Sequence, residues 1–475
     1  MTSRRFGQQS LMQLLGHWQQ TPSRIPLWQQ LAAALRLLIL DGRLVQGARL
    51  PGERELASGL NISRTTVSSA LAQLREQGFL QSRQGSGSQV VIPASSTSAH
   101  RAMSSTTQLD LSTASLTAGA EIHQAYTYAM ELLPSQLQTS GYNQKGVLPL
   151  RESIAQRYCL RGLPTTPDQV MVVNGAVSGL ALILRLLAGP GDRVLVDHPT
   201  YPSALSAIRG ASCQAVGVPL LSGRWDITGL KATIAQTSPR LAYLIADYNN
   251  PTGYCMDEAS RAEIAAIAAQ SRTPLVIDET LAELWYHEPP PLPVAAFSNS
   301  DQVISLGSAS KSFWGGLRIG WIRASPSLIT SLIQIRDSLD LGSPLLSQLA
   351  VGWLLDNSDN FLAQRRHMLK QQRDDCQRLM QEYFPEWKTS TPAGGLSFWV
   401  ELPGMQATQF SSRASDSGIL LGTGTRFGLS GAFDRYLRMP FTSDEQTLRR
   451  AFQQLQPLWS TLPENTAAAN HRKIF

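Results

Sequence analysis

Cysteine is scarce in this 475-residue chain: Cys159, Cys213, Cys255 and Cys376 are scattered and form no C-x-x-C pair. That spacing excludes a disulfide framework and a structural zinc site, so no metal is expected and a reduced, cytoplasmic setting is the simplest reading. Long apolar runs are missing too. Residues 31–40 are interrupted by Arg36 and residues 180–187 by Arg185, both stretches too short to span a bilayer. Gln, His and Trp follow Arg4 and Arg5 where a signal peptide would need its apolar core, so no membrane partner is expected. No internal repeat is visible. Charge is sparse at 16% against 43% hydrophobic residues, the balance of a globular chain rather than a disordered or fibrous one. At roughly 100 to 200 residues per domain the length suits two to four domains.

Lysine is absent from residues 1–92, yet that segment holds all the excess charge. Ten arginines stand there against four acids, a net +6, while the other 383 residues carry 31 bases and 31 acids. Such asymmetry is the footprint of an anion-binding module joined to a neutral body, nucleic acid being the obvious partner; a solvated basic surface would give the same count. Residues 93–107, PASSTSAHRAMSSTT, are dominated by Ser, Thr and Ala and read as a flexible linker between the two.

Within the basic segment, Leu27, Leu31, Leu35 and Leu38 recur at helical spacing. Pro51 and Gly52 then start a helix through Leu60, Asn61 and Ile62 turn the chain, and Ser63 is a good N-cap for a helix from Arg64 to about Gln77. This is helix, turn, helix. The second helix opens on Arg64, Thr65 and Thr66, a guanidinium and two hydroxyls at the end where recognition helices meet bases and phosphates. Short apolar runs around Phe79–Leu80 and residues 89–92 flank Arg83-Gln84-Gly85-Ser86-Gly87, a hairpin tip able to approach a sugar-phosphate backbone. Leu56, Val67, Leu71 and Leu74 read as core, and Arg75 as a solvated helix charge. The stretch RLPGERELASGLNISRTTVSSALAQLREQGFLQSRQGSG resembles the winged helix-turn-helix of the GntR family of bacterial repressors. That resemblance implies DNA contacts from Arg54, from Arg64, Thr65 and Thr66, and from Arg83, Gln84 and Gly85 in the wing; Gly52 stands where the family usually has Ser.

In the neutral piece, apolar runs at 170–173, 194–196, 241–245, 275–277 and 303–306 alternate with helical stretches such as 176–187 and 258–270, which predicts an α/β body with a mainly parallel sheet. The tail is helical from about 325 to 384 and strand-like again near 396–400, a smaller subdomain. Short motifs follow in order. Asn174-Gly175-Ala176 opens a helix whose N–H groups suit a phosphate. Asp197-His198-Pro199-Thr200-Tyr201-Pro202, Asn249-Asn250-Pro251-Thr252-Gly253 and Asp278-Glu279 come next, then Ser308-Ala309-Ser310-Lys311 and Gly316-Leu317-Arg318. A lysine after small residues with an arginine seven positions on suits a cofactor bearing an aldehyde and a phosphate, and an aspartate at a strand end would hold a pyridine nitrogen protonated.

Over roughly residues 110–460 this ordered set resembles the fold-type I, aspartate aminotransferase-like enzymes that use pyridoxal 5′-phosphate (PLP). The resemblance implies that Lys311 is the Schiff-base lysine, that Asp278 partners the ring nitrogen and that Asn250 donates to the ring oxygen. Gly175, Ala176, Ser308, Ser310 and Arg318 would form the phosphate site, Tyr201 would stack on the cofactor, Tyr142 would reach the neighbouring subunit's phosphate, and Arg438 would hold a carboxylate of the effector. Relatives carry a tyrosine two or three residues after the aspartate, where this chain has Thr280 and Leu281. Thr280 substitutes only partly for a phenol, and weakened proton transfer points to a body used as a sensor rather than a working enzyme.

A GntR-like reader (1–92), a linker (93–107) and an aminotransferase-like body (108–475, with a large part to about 325 and a small one at about 326–460) together resemble the MocR subfamily of bacterial regulators. The implied function is a PLP-dependent transcription factor, a head-to-tail homodimer binding an operator in double-stranded DNA and sensing an amino compound or PLP itself. The alternative is an active aminotransferase with an accessory DNA-binding domain. A body that has lost PLP conflicts with Lys311, Asp278 and Arg318.

Overall fold

The structure is a computed structural model, and it describes residues 7–16, 18–19, 26–40, 43–83, 87–91, 109–221, 223–298, 300–404 and 407–461. The linker expected at 93–107 lies outside the described residues, as do Gln84 and Gly85 of the wing; of Arg83 only the backbone is described. The chain divides into two compact units, one of residues 1–113, 402–437 and 457–475, the other of residues 114–401 and 438–456.

The first unit contains a helical reader: α1 (Gln8–Leu15), α2 (Leu27–Leu40), α3 (Glu53–Leu60), α4 (Arg64–Glu76) and a hairpin of β1 (Leu80–Arg83) with β2 (Gly87–Val90), antiparallel with Leu80 opposite Val90. The turn between α3 and α4 works because Asn61 takes a left-handed conformation (φ 54°), and Ser63 caps α4 by accepting the Thr66 amide at 3.0 Å. At the start of α3 the N-cap Gly52 has no side-chain acceptor. Its own amide instead donates to Glu55 Oε2 (3.1 Å), half of a capping box. Leu31, Leu35, Leu38, Leu56, Val67, Leu71 and Leu74 close into one core with Leu11 of α1. Helix α1 was not foreseen; Gly59 of α3 admits it, since a Cβ there would strike Met12 Sδ at 2.8 Å. Arg75 is not a solvated charge: it reaches Glu53 of α3 (3.4 Å) and Ser88 of β2 (3.2 Å), tying helix to wing. In the same unit β3 (Leu109–Leu111) lies parallel to the strand Ile419–Thr423.

In the second unit, α5 (Ala120–Gln136) and α6 (Leu148–Leu160) lead into β4 (Val170–Val173), α7 (Ala176–Leu187), β5 (Arg193–His198), α8 (Pro202–Gly210), β6 (Gln214–Leu221), β7 (Arg224–Trp225) and α9 (Ile227–Thr237). There follow β8 (Leu241–Leu244), α10 (Glu258–Ser271), β9 (Leu275–Asp278), β10 (Val303–Ser308), the short α11 (Ala309–Ser312) and β11 (Gly320–Arg323). The strands make one sheet in the order β4-β11-β10-β9-β8-β5-β6-β7. From β10 through β6 every pairing is parallel, while β11 and β7 run antiparallel to their neighbours. Every residue of β4, β8, β9 and β10 is buried, as expected of strands covered on both faces. The long α14 (Asp359–Tyr383) follows α12 (Pro326–Arg336) and α13 (Leu345–Asn357), the helical tail expected from the pattern. No described helix is long and apolar enough to cross a membrane.

Candidate functional site

Parallel sheets place chemistry at the carboxyl ends of their strands, where the following loops converge. The ends of β4, β5, β8, β9 and β10 are followed here by Gly175, Thr200, Asn250, Thr280 and Ala309 respectively. Gly175 is the N-cap of α7 at φ 92°, a conformation that glycine adopts without strain. A Cβ at Gly175 would stand 2.8 Å from Arg318 Nη2, so the missing side chain is what lets the guanidinium come up against the helix start. Gly320 serves the same end: its Cβ would meet Ala176 N at 2.8 Å. Arg318 is itself left-handed (φ 54°) and donates from Nη2 to Asn174 O at 3.0 Å. Ser308 caps α11 by accepting the Ser310 amide (3.1 Å). Backbone N–H groups, a fixed guanidinium and two hydroxyls therefore share one cradle.

Lys311 follows on α11, and its Nζ donates to the carbonyl of Ala114 at 2.8 Å. Burial, then the Arg438 guanidinium, lower its pKa to about 8; Arg318 adds to this and Asp278 opposes it. Asp278 ends β9, buried, with Oδ1 accepting the Thr280 amide (2.9 Å) and Oδ2 the Tyr243 hydroxyl (2.6 Å). Arg438, 7% exposed, is close enough to Lys311 to repel its charged form. Tyr201 caps α8, within electrostatic reach of Tyr243. Tyr142 is 71% exposed.

Beneath these residues is a cluster that the motifs did not reveal. Asp247, wholly buried, pairs with Arg261 (2.6 Å) and Arg161 (3.3 Å); Arg161 also meets Glu279 (3.1 Å), which accepts from Ser305 (3.0 Å). Burial raises the Glu279 pKa and the Arg161 charge opposes the rise. The signal was present in acids placed beside the site motifs: Asp247 three residues before Asn250, Glu279 next to Asp278. Two acids and two guanidiniums thus join the Asn250 loop to the end of β9 as a balanced buried group.

Three buried polar oxygens, Thr200 Oγ1, Asn250 Oδ1 and Thr280 Oγ1, have no hydrogen-bond partner among the described residues. Buried polar atoms are nearly always satisfied, so three at one sheet edge mark where a polar group belongs. Together with the cradle, a lysine of lowered pKa and a fixed carboxylate, this donor and acceptor set fits a phosphorylated pyridine aldehyde.

In the reader, Arg54, Arg64 and Thr65 are exposed and Thr66 is half-buried. The Ser63 hydroxyl bonds the hydroxyls of Thr65 (2.7 Å) and Thr66 (2.8 Å), so the start of α4 holds three hydroxyls in one network beside the exposed Arg64.

Residues 106–455 match the family model of aminotransferase class I and II, and residues 27–90 that of the bacterial regulatory proteins of the gntR family. The HTH-type transcriptional regulator YisV of Bacillus subtilis (strain 168) is 30% identical over 424 residues, covering 81% of this chain and 86% of its own. Aromatic-amino-acid aminotransferase 1 of Thermococcus litoralis is 28% identical over 325 residues, 66% of this chain and 77% of its own. Among solved structures, the kynurenine aminotransferase of Pyrococcus horikoshii, determined with PMP, superposes with a TM-score of 0.69 at 26% identity, covering 74% of this chain and 91% of that one. These likenesses correct one expectation. Thr280 pointed to a sensor with at most weak transaminase activity, yet several of the proteins whose fold and sequence the body shares are aminotransferases, which supports enzymatic capability. Thr280 keeps a buried hydroxyl next to Asp278, without a hydrogen-bond partner among the described residues.

Proposed function

The chain belongs to the aminotransferase class I and II family and is a MocR-type fusion of that fold to a GntR-type DNA-binding domain, and from this premise we propose that it is a PLP-dependent transcriptional regulator whose body also retains aminotransferase capability. The observation that carries the reading is the pairing, in one chain, of an Arg64-headed recognition helix with a buried lysine set among Asp278, Arg318 and Arg438. Lys311 would take the aldehyde, Asp278 the ring nitrogen and Asn250 the ring oxygen. Gly175, Ala176, Ser308, Ser310 and Arg318 would hold the phosphate, with Tyr201 against the ring. When bound, PLP supplies an electron sink for amino compounds. The chain supplies the rest: a lysine able to hold or release a proton near neutral pH, and in Arg438 a buried cation suited to a carboxylate.

Sensing requires only that the amino compound bind one arrangement of the readers better than another; about 5.5 kcal/mol of differential affinity moves such a balance from 1:99 to 99:1. A head-to-tail homodimer acting on operator DNA in the cytoplasm suits this, and Tyr142, exposed in one chain, would reach the partner's phosphate site. The test is operator binding by full-length protein without cofactor, with PLP, and with PLP plus a panel of amino acids, read alongside the cofactor's visible absorbance. The reading expects at least one amino compound to change both. If PLP leaves the protein colourless, or if no cofactor state alters operator affinity, the reading is wrong.

A further inference from the structure

Asp278 is held by two donors, and only one of them belongs to its own loop. The second is the hydroxyl of Tyr243, in the middle of β8, which crosses to the neighbouring strand β9 and meets Oδ2 at 2.6 Å. Tyr243 is 1% exposed, in a strand buried along its whole length. Its ring could pack there as phenylalanine; the hydroxyl is what reaches Asp278. We infer that Tyr243 is a positioning residue for the cofactor, one that fixes the Asp278 carboxylate from behind and tempers its charge toward the pyridine nitrogen. This rests on the PLP reading above and assigns a role to a residue outside the motifs.

A carboxylate offers about four acceptor positions. With Oδ1 on the Thr280 amide and Oδ2 on the phenol, Asp278 cannot rotate without breaking a bond, and its remaining lone pairs keep one direction. Burial and the Asp278 charge push the phenol's pKa well upward, so it stays a donor throughout the working pH range. The other ionisable groups within reach are Tyr201 and Asp197 around the phenol, and Lys311 and Asp197 around the carboxylate. Removing the hydroxyl leaves more negative charge on Asp278, which favours protonated forms of a bound cofactor.

The experiment is a pH titration of the visible absorbance of PLP-loaded full-length protein. In Tyr243→Phe the midpoint should rise by about one pH unit relative to wild type. In an Asp278→Asn background the same change should have no effect, because the acceptor's charge is gone. Tyr243→His, which keeps a buried N–H donor, should lie nearer wild type than Tyr243→Phe and serves as the second variant should the phenylalanine form not fold. An unmoved midpoint in Tyr243→Phe, or an equal shift in the Asp278→Asn background, overturns the inference. A wild type that never develops the absorbance overturns the PLP reading instead, so the two failures are distinguishable.

Discussion

Lys311 must be neutral to condense with an aldehyde, and its surroundings set how often it is. At pH 7 a lysine with a pKa of about 8 is neutral about one tenth of the time; at the ordinary 10.5 the fraction is about 3 in 10,000. Burial and the neighbouring guanidiniums therefore raise the neutral fraction of the amine about 300-fold at that pH. The rate of appearance of the visible absorbance on mixing cofactor-free protein with PLP, followed by stopped flow between pH 7 and 10, should rise about fivefold from pH 7 to 8, about elevenfold in all, and level off above about pH 9. Arg438→Leu removes the largest charge contribution, so the amine's pKa rises; the plateau should move up by about one pH unit and the rate at pH 7 fall several-fold, with burial still holding the amine below its ordinary value. A wild-type rate that climbs without levelling to pH 10 would refute the account, since it would mean an unperturbed amine.

Arg64→Ala should weaken operator binding by about 1–3 kcal/mol in a fluorescence anisotropy titration while PLP loading is unchanged; equal affinity would remove α4 from the DNA contact. Gly175→Ala puts a methyl 2.8 Å from Arg318 Nη2 at a φ of 92°, so PLP affinity should fall at least about tenfold by equilibrium dialysis, and a normal affinity would dissociate this cradle from the phosphate. Asp247→Asn leaves Arg161 and Arg261 facing each other without their shared acid, which should cost about 3–5 kcal/mol in urea unfolding; a loss under 1 kcal/mol would show that the cluster is not a closed ion group.

Most of the site could be read in the sequence because each motif falls at a strand end, where local rules apply. Asn174-Gly175-Ala176 announces a helix start, and Asp278 follows an apolar run that can only be a buried strand. Ser63 and Asn61 were legible in the same way, as a cap and a tight turn. Contacts that depend on distant pairing were not. Arg161 meets Glu279 across 118 residues, and Leu109 aligns with Ile419, relations that no local pattern encodes. Tyr243 in an apolar run looks like core until its hydroxyl is seen opposite Asp278. Arg75 looked solvated because helical spacing describes its own helix and is silent about Ser88 of the wing. Thr280 misled differently: a missing phenol was read as a missing activity, although a hydroxyl remained.

β3 is three residues laid parallel to Ile419–Thr423, with the amide of its first residue, Leu109, on the Gly418 carbonyl at 2.9 Å. A parallel ladder loaded along its strands bears the load on all its bonds at once, instead of opening one bond at a time. Pulling on β3 along that axis therefore meets a shear joint. A displacement of β3 along its axis is delivered to the strand Ile419–Thr423 before the ladder parts, which makes this joint a mechanical coupling within the first unit.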